Sequence, residues 1–458
     1  MNCKRLMRQY RVDMIDATRR WVAINSIYDE KTVSKKMPFG KGVDEALEYV
    51  AKLGERYGFE VDRCDGYATE LTIGEGDKMI GIFGHADVVP VSGEWKFGPF
   101  NPTIKNGKMY GRGTSDDKGP AIAAIYAAKA LKDAGLVRGY KIRIVIGGDE
   151  ERGSGCLEHY FHVLKKPYPT YGFTPDSDFP LIYGEKGIIN FYPTWKINLP
   201  HVKSIKAGVV SNAVCDKAEV ELDNASVFSE FLASKNVAHT INKNVVTVTG
   251  VTCHGSVPEM GDNAALKLFR NLGEFLNVDL LKNLGEKLNE SSGKLFNGFA
   301  ETKLLGKTTY CVGLASYEKG VLKLTVNFRY PEGVDAKKFI KNFDVNFEAK
   351  SEVGEESPSL LYDPECELVK TLLKAYRRQT LDFHKPLTTG GGTYAKHSKN
   401  TIAFGAVFPG RNTHMHEPNE FIVIRELVKA SEVYARAIHA LGTLEKWEQN
   451  INNGLLII

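Results

Sequence analysis

Four polar clusters in this chain have the residue types and the placement to do chemistry. Gly84-His85-Ala86-Asp87 directly follows an apolar run at 79–83. Gly111-Arg112-Gly113-Thr114-Ser115-Asp116-Asp117-Lys118-Gly119 directly precedes an Ala-rich segment. Gly147-Gly148-Asp149-Glu150-Glu151 directly follows a second apolar run at 140–146. Thr413-His414-Met415-His416-Glu417-Pro418-Asn419-Glu420 lies near the C-terminus. Imidazole and carboxylate donors without a thiolate suit zinc, manganese or cobalt. Carboxylates gathered without cations repel one another, and a pair of divalent ions removes that conflict. Two such ions, about 3.5–4 Å apart, can share one carboxylate and one water. A further carboxylate is then needed to take the proton from that water and pass it to a leaving nitrogen. Adjacent glutamates after a strand can divide those tasks. Alone, each cluster has an ordinary explanation: a satisfied loop, a turn with a helix N-cap, a solvated acidic loop. Together, each beside a predicted strand or helix, they point to one site.

The elements that must position them follow from periodicity. Residues 10–28 and 42–58 have apolar residues at helical spacing, with Gly58 as a stop. The runs 79–83 and 140–146 read as buried strands, and 119–131 as a helix with Pro120 in its first turn and Gly135 beyond its end. Strand, helix, strand at this spacing predicts a βαβ unit in a largely parallel sheet. Sites in such sheets form beyond the carboxyl ends of the strands. His85, Asp87, Glu150 and Glu151 stand there. From about 190 to 351 the style changes. Alternating or β-branched segments (245–248, 322–328) surround two predicted helices (263–276, 334–343), which reads as a smaller α+β domain. After the polar stretch 355–357 and Pro358, a helix near 365–379 returns to the α/β style. The expected organisation is an α/β catalytic domain in two parts, 1–186 and 356–458, split by an inserted α+β domain, 187–355. No repeat of fixed period and no low-complexity segment is present.

Composition removes other classes. The 458 residues carry a net charge of only +4, with no long Lys/Arg run, which disfavours nucleic acid as a partner. The N-terminal residues are charged and lack the apolar stretch of a secretory signal. No stretch reaches the ~18 apolar residues of a membrane span. Leu455, Leu456, Ile457 and Ile458 are too few to insert and are expected to pack on the body or fray. Seven widely spaced cysteines without Cys-x-x-Cys predict reduced, mostly buried thiols and a cytoplasmic protein. Gly390-Gly391-Gly392 is followed by Thr393-Tyr394, so it is not a phosphate-binding loop. No Gly-x-Gly-x-x-Gly after a strand, Gly-x-Ser-x-Gly or His-Glu-x-x-His occurs.

The segments GIFGHADVVP, YGRGTSDDKGP, GGDEERGS, GFTPDSDFPLIYGEKG, HGSVP, NFRYPEG, GGGTYA and FPGRNTHMHEPNE run in order from about residue 80 to 420. On them the chain resembles the M20 metallopeptidases, and in detail the PepV-like dipeptidases. The resemblance implies a zinc-peptidase-like α/β catalytic domain with a mostly parallel central sheet, plus an inserted α+β lid domain. It implies that His85 and Asp176 bind one metal, Glu151 and His416 a second, and that Asp116 bridges them across a cis Asp116–Asp117 peptide. His416 is preferred to His414 because the family's ligand stands four residues before the Glu of an Asn-Glu pair, here Glu420. Asp87 would orient His85 through its other ring nitrogen, and Glu150 would be the general base and acid. His254 would stabilise the oxyanion, with Asn212 a second contact from the inserted domain. Arg329 would hold a substrate carboxylate, and Gly391, Gly392 and Thr393 would offer backbone groups. Arg329 as a solvent-facing strand residue and Asn212 as a plain turn residue are the ordinary alternatives.

The function so implied is two-metal hydrolysis of dipeptides with a free N-terminus, with zinc as first choice and manganese or cobalt as alternatives. An M20 deacylase acting on N-acyl amino acids is the nearest rival. A silent metal- or peptide-binding protein is disfavoured because every ligand and the base are present. The expected partner is a small peptide. The expected state is a monomer, with a homodimer as the alternative, since many family members borrow a His from a neighbouring chain. The chain departs from the family at Arg152, where relatives often carry Thr or Ser, so side-chain preference does not transfer.

Overall fold

Residues 78–85 are buried along their whole length, and the strand Lys78–His85 that they form is central. A strand buried on both faces belongs inside a parallel sheet covered by helices. It pairs in parallel with Tyr140–Gly147 on one side and Tyr171–Thr174 on the other. Thr401–Ala403 continues the parallel run beyond Tyr171–Thr174. The flanks are antiparallel: Ala68–Gly74 lies beside Tyr140–Gly147, and Glu60–Asp62 beyond it. The sheet is therefore mixed with a parallel centre. The helix Lys118–Asp133 is the crossover between Lys78–His85 and Tyr140–Gly147. Its Ala and Ile residues are buried nearly all round, as a helix between sheet and other helices requires.

The computed structural model describes residues 1–445. Leu455, Leu456, Ile457 and Ile458 lie outside the described residues. The predicted helix at 42–58 is Lys41–Arg56, ended by Gly58 at φ +69°. The predicted helix at 10–28 stops earlier, as Arg11–Val22. The reason is tertiary. The carbonyls of Trp21 and Ile24 turn to accept from the buried Lys118 Nζ, at 3.2 and 2.8 Å. Ser26 Oγ donates to Ala86 O at 2.6 Å. Among the described residues no helix is long and apolar enough to cross a membrane. All seven cysteines are unbridged.

The chain divides into two compact units. One contains Met1–Tyr183, Leu361–Leu387 and the described residues from Thr393 onward; the other contains Gly184–Leu360 and Thr388–Gly392. The expected insertion, 187–355, is thus drawn wider. Thr388–Gly392, expected in the catalytic domain, groups with the second unit for a physical reason. There Lys186 N donates to Thr389 O at 3.1 Å, Thr388 Oγ1 to Leu304 O at 3.0 Å, and Arg329 Nη1 to Gly390 O at 2.6 Å.

The second unit is built on an eight-stranded sheet. Its order is His239–Asn242, Val245–Thr249, Lys217–Leu222, Val202–Ala207, Thr309–Glu318, Val321–Tyr330, Gly187–Lys196, Lys350–Ser357. All neighbours run antiparallel. Burial alternates along Gly187–Lys196, the signature of a sheet with one covered face. Phe191, Val220, Val246, Leu324 and Phe328 share a core with Leu268, Phe269 and Phe343 from the helices. Phe343, fully buried, lies 5.0, 5.6 and 4.6 Å from the rings of Phe191, Phe296 and Phe347. Phe343→Ala should destabilise this unit by about 3–5 kcal/mol, the usual cost of emptying such a site. Urea denaturation followed by intrinsic fluorescence checks it.

Candidate active site

Neighbouring parallel strands end together, so His85 stands directly across from Gly147. Asp87 follows one strand, and Glu150 and Glu151 follow the other. Tyr171–Thr174 is the next parallel strand, and Asp176 comes just after it. Asp116 precedes the crossover helix, and His416 precedes the strand Phe421–Val423. Five segments far apart in sequence converge in the first unit.

Two groups of donors result. His85, Asp116 and Asp176 form one; Asp116, Glu151 and His416 form the other; within each, the donor atoms lie within 4.8 Å of one another. His85 Nε2 is 3.0 Å from Asp116 Oδ1 and 3.7 Å from Asp176 Oδ2. His416 Nε2 is 2.7 Å from Asp116 Oδ2 and 3.1 Å from Glu151 Oε1. Asp116 therefore gives one oxygen to each group. The Asp116–Asp117 peptide is cis.

Asp87 supports more than the His85 ring. His85 Nδ1 meets the main-chain carbonyl of Asp87 at 3.0 Å, with the Asp87 carboxylate farther away at 3.4 Å. That carboxylate also accepts the backbone N–H groups of Glu150 and Glu151, at 3.1 and 3.0 Å. Asp87 so fixes both the ring and the glutamate pair. Asp117, to which no role was assigned, accepts from His85 N at 3.1 Å through Oδ2. A Cβ at Gly84 would stand 2.6 Å from that oxygen, so the close approach requires glycine. Glu420 served the sequence reading only as a position marker; in the structure it is buried against Arg112 and the Asp116 loop. The doubled Asp116-Asp117 was the one visible signal for Asp117, and nothing local signals the pairing of Glu420.

The electrostatics ask for positive charge. Burial, and then the charge of Asp116, push the Asp176 carboxyl up to about 8. Burial and Asp176 raise Glu150 well above its ordinary value, and burial and Asp116 raise Glu151. Burial alone would lower His416, yet its hydrogen bonds to Asp116 and Glu151 raise it to about 11. His85 is likewise raised against its burial by Asp116 and Asp87. Burial would raise Asp116, but His416 and His85 hold it well below the usual carboxylate range. The histidines are thus drawn toward holding a proton, and Asp176 and Glu151 toward keeping theirs, as a cluster short of positive charge requires. Two imidazoles and three carboxylates, one shared, are a donor set that fits two divalent ions.

The remaining expected residues belong to the second unit, apart from Thr393. His254 is exposed, and its Nδ1 shares a 2.6 Å hydrogen bond with Ser256 Oγ. Asn212 is exposed in a turn, where its carbonyl accepts from Gly255 N at 2.7 Å. Arg329 is 3% exposed, which overturns its solvent-facing alternative. Its Nε donates to Asn327 Oδ1 at 2.8 Å and its Nη1 to Gly390 O. Among the described residues no carboxylate pairs with it, and burial pushes the guanidinium down to about 10. Gly391 N donates to Thr389 Oγ1 at 3.0 Å. Gly392 is exposed, and Thr393, in the first unit, caps the short helix Tyr394–Lys396. Arg152 stacks on Tyr28, its guanidinium 3.4 Å from the ring centre.

Residues 81–440 match peptidase family M20/M25/M40. A Bacillus subtilis (strain 168) protein named "Putative dipeptidase YtjP" is 35% identical over 465 aligned residues, spanning 94% of this chain and 97% of that one. A Staphylococcus epidermidis (strain ATCC 12228 / FDA PCI 1200) protein named "Putative dipeptidase" is 34% identical over 461, spanning 94% and 98%. The crystal structure of human carnosine dipeptidase 1 superposes with a TM-score of 0.59 at 16% identity, covering 97% of this chain and 99% of that one. The structure of the Saccharomyces cerevisiae di-peptidase Dug1p gives 0.61 at 14%, with the same coverage. At such identities the two solved structures show a shared fold. The sequence match is broader evidence, and by it this chain belongs to peptidase family M20/M25/M40.

Proposed function

We propose that this protein hydrolyses the peptide bond of dipeptides with a free N-terminus, and does so with two divalent ions. The observation that carries the reading is Asp116, which offers one oxygen to each of two histidine–carboxylate groups beside Glu150. The dipeptidase names of the relatives support the substrate class. His85, Asp116 and Asp176 would hold one ion, and Asp116, Glu151 and His416 the other. Zinc suits the donors best, with manganese and cobalt next. When bound, the ions lower the pKa of a water and polarise the scissile carbonyl.

The chain's own residues do the rest. Glu150 takes the proton of the attacking water and delivers it to the leaving nitrogen. Burial, and then the charge of Asp176, raise its proton affinity, which suits that exchange. Asp87 keeps Glu150 and Glu151 in register through their backbone N–H groups. His254, oriented by Ser256, stabilises the oxyanion of the tetrahedral intermediate. Arg329 receives the substrate carboxylate, and Asn212 and the Gly391–Gly392–Thr393 backbone line the substrate. The unbridged cysteines support a reducing, cytoplasmic setting, and we take the working form to be a monomer.

The test is a dipeptide panel beside N-acyl amino acids, with metal-stripped protein reloaded with zinc, manganese or cobalt. Metal-dependent cleavage of unblocked dipeptides is expected. Cleavage of the N-acyl compounds alone would move the function to a deacylase on the same site.

A further inference from the structure

Arg112 and Glu420 are 1% and 0% exposed, and neither belongs to the two donor groups. Arg112 Nη1 donates to Glu420 Oε2 at 2.7 Å. An ion pair this deep needs further hydrogen bonds to offset its lost hydration. Glu420 Oε1 accepts them from one loop: Ser115 N at 2.9 Å, Ser115 Oγ at 3.2 Å and Asp116 N at 3.3 Å. The main chain adds to this, with Gly111 N donating to Glu420 O at 3.0 Å. One residue therefore grips the whole segment 111–116 that carries Asp116.

The same residue ends the loop that carries His416. That loop is unusual in its backbone. His414, His416 and Asn419 all take positive φ, at +55°, +62° and +64°. Side-chain-bearing residues hold that conformation only where their surroundings over-determine it. Here the loop is closed by Phe421 N donating to Thr413 O at 3.0 Å, and pinned by Lys96 N donating to Asn419 Oδ1 at 2.7 Å. Arg112 is fixed in turn, with its N–H on Pro99 O at 2.9 Å and its guanidinium 5.3 Å from the Trp95 ring centre. A buried Arg–Glu pair is ordinarily a staple for the fold. This one differs because Glu420, four residues after His416, binds the backbone N–H of Asp116 itself through its second carboxylate oxygen.

We propose that Glu420, held by Arg112, is a positioning residue that sets where the shared Asp116 stands relative to His416, and so tunes the affinity and geometry of the two-ion site. This rests on the two-ion reading above, and its test is read without substrate. Full-length wild-type, Glu420→Gln and Ser115→Ala proteins are stripped of metal and titrated with cobalt against a chelator. Visible absorption and thermal melting are recorded on the same samples. Glu420→Gln keeps the shape and removes the charge. It should bind cobalt about 10–100-fold more weakly and change the cobalt spectrum. On the best dipeptide its kcat should fall while KM stays within about twofold. Ser115→Ala removes one donor only and should shift affinity and spectrum in the same direction by less.

A folded Glu420→Gln protein with wild-type cobalt affinity and spectrum overturns the proposal. If that variant does not fold, Ser115→Ala decides: an unchanged spectrum and affinity overturn it, and a weakened, altered site supports it. Failure of wild-type protein to bind two cobalt ions sinks the underlying two-ion reading. Failure to cleave dipeptides sinks only the substrate assignment.

Discussion

Glu150→Gln is expected to keep both ions and lose about 10^2- to 10^4-fold in kcat on dipeptides, the range a positioned proton-transfer group contributes. The substitution is close to isosteric, and the backbone N–H at 150 would still donate to the Asp87 carboxylate, as that of Glu150 does at 3.1 Å. Glu151 keeps its own N–H on the other oxygen of Asp87, so a proposed ligand stays in place. What is lost is a carboxyl that can take and return a proton. Metal content and steady-state kinetics on the same preparation check the outcome. Near-normal turnover with both ions bound would remove Glu150 from the role of base.

Arg329→Ala is expected to cost about 2–4 kcal/mol of transition-state binding, or about 30- to 1,000-fold in kcat/KM on dipeptides with a free C-terminal carboxylate. Arg329 is buried in the strand Val321–Tyr330, its hydrogen bonds going to neutral oxygens of Asn327 and Gly390. A buried guanidinium without a counter-charge is costly to maintain, which is the reason to assign it an anionic ligand. The discriminating control is the same dipeptide amidated at its C-terminus. Wild-type protein should handle it poorly, and the variant should lose little more on it. Equal losses on both substrates would mean that Arg329 merely anchors the Gly390 loop.

The sequence discloses a site best where local pattern and local geometry coincide. Two apolar runs followed by His85 and by Glu150-Glu151 could be read because adjacent parallel strands must end side by side. The crossover helix could be read because a helix buried all round is apolar all round. What periodicity does not carry is pairing between distant segments. Arg112 and Glu420 are 308 residues apart, and each alone is an ordinary charged residue in a polar loop. Val22 ends its helix because Lys118, far along the chain, needs carbonyl partners. Asp87 was expected to orient His85 through its other ring nitrogen. Its carboxylate also accepts two backbone N–H groups, a pairing that no side-chain motif displays.

The strand Thr401–Ala403 lies in the parallel run directly beside Tyr171–Thr174, and this order has a consequence for the newborn chain. A ribosome delivers His85, Asp116 and Asp176 early, yet the sheet beneath them lacks a strand until residue 403 has emerged. His416 comes later still. The second unit, by contrast, is nearly continuous from Gly184 to Leu360. Domains usually fold as they are made, first-made first. Here the portion begun first must wait, and the portion begun second can reach its native form ahead of it. Truncated products ending before Thr401 would carry most of the proposed metal-binding side chains and none of the finished centre. Ions that bind only the completed site would then favour whole molecules over fragments by mass action.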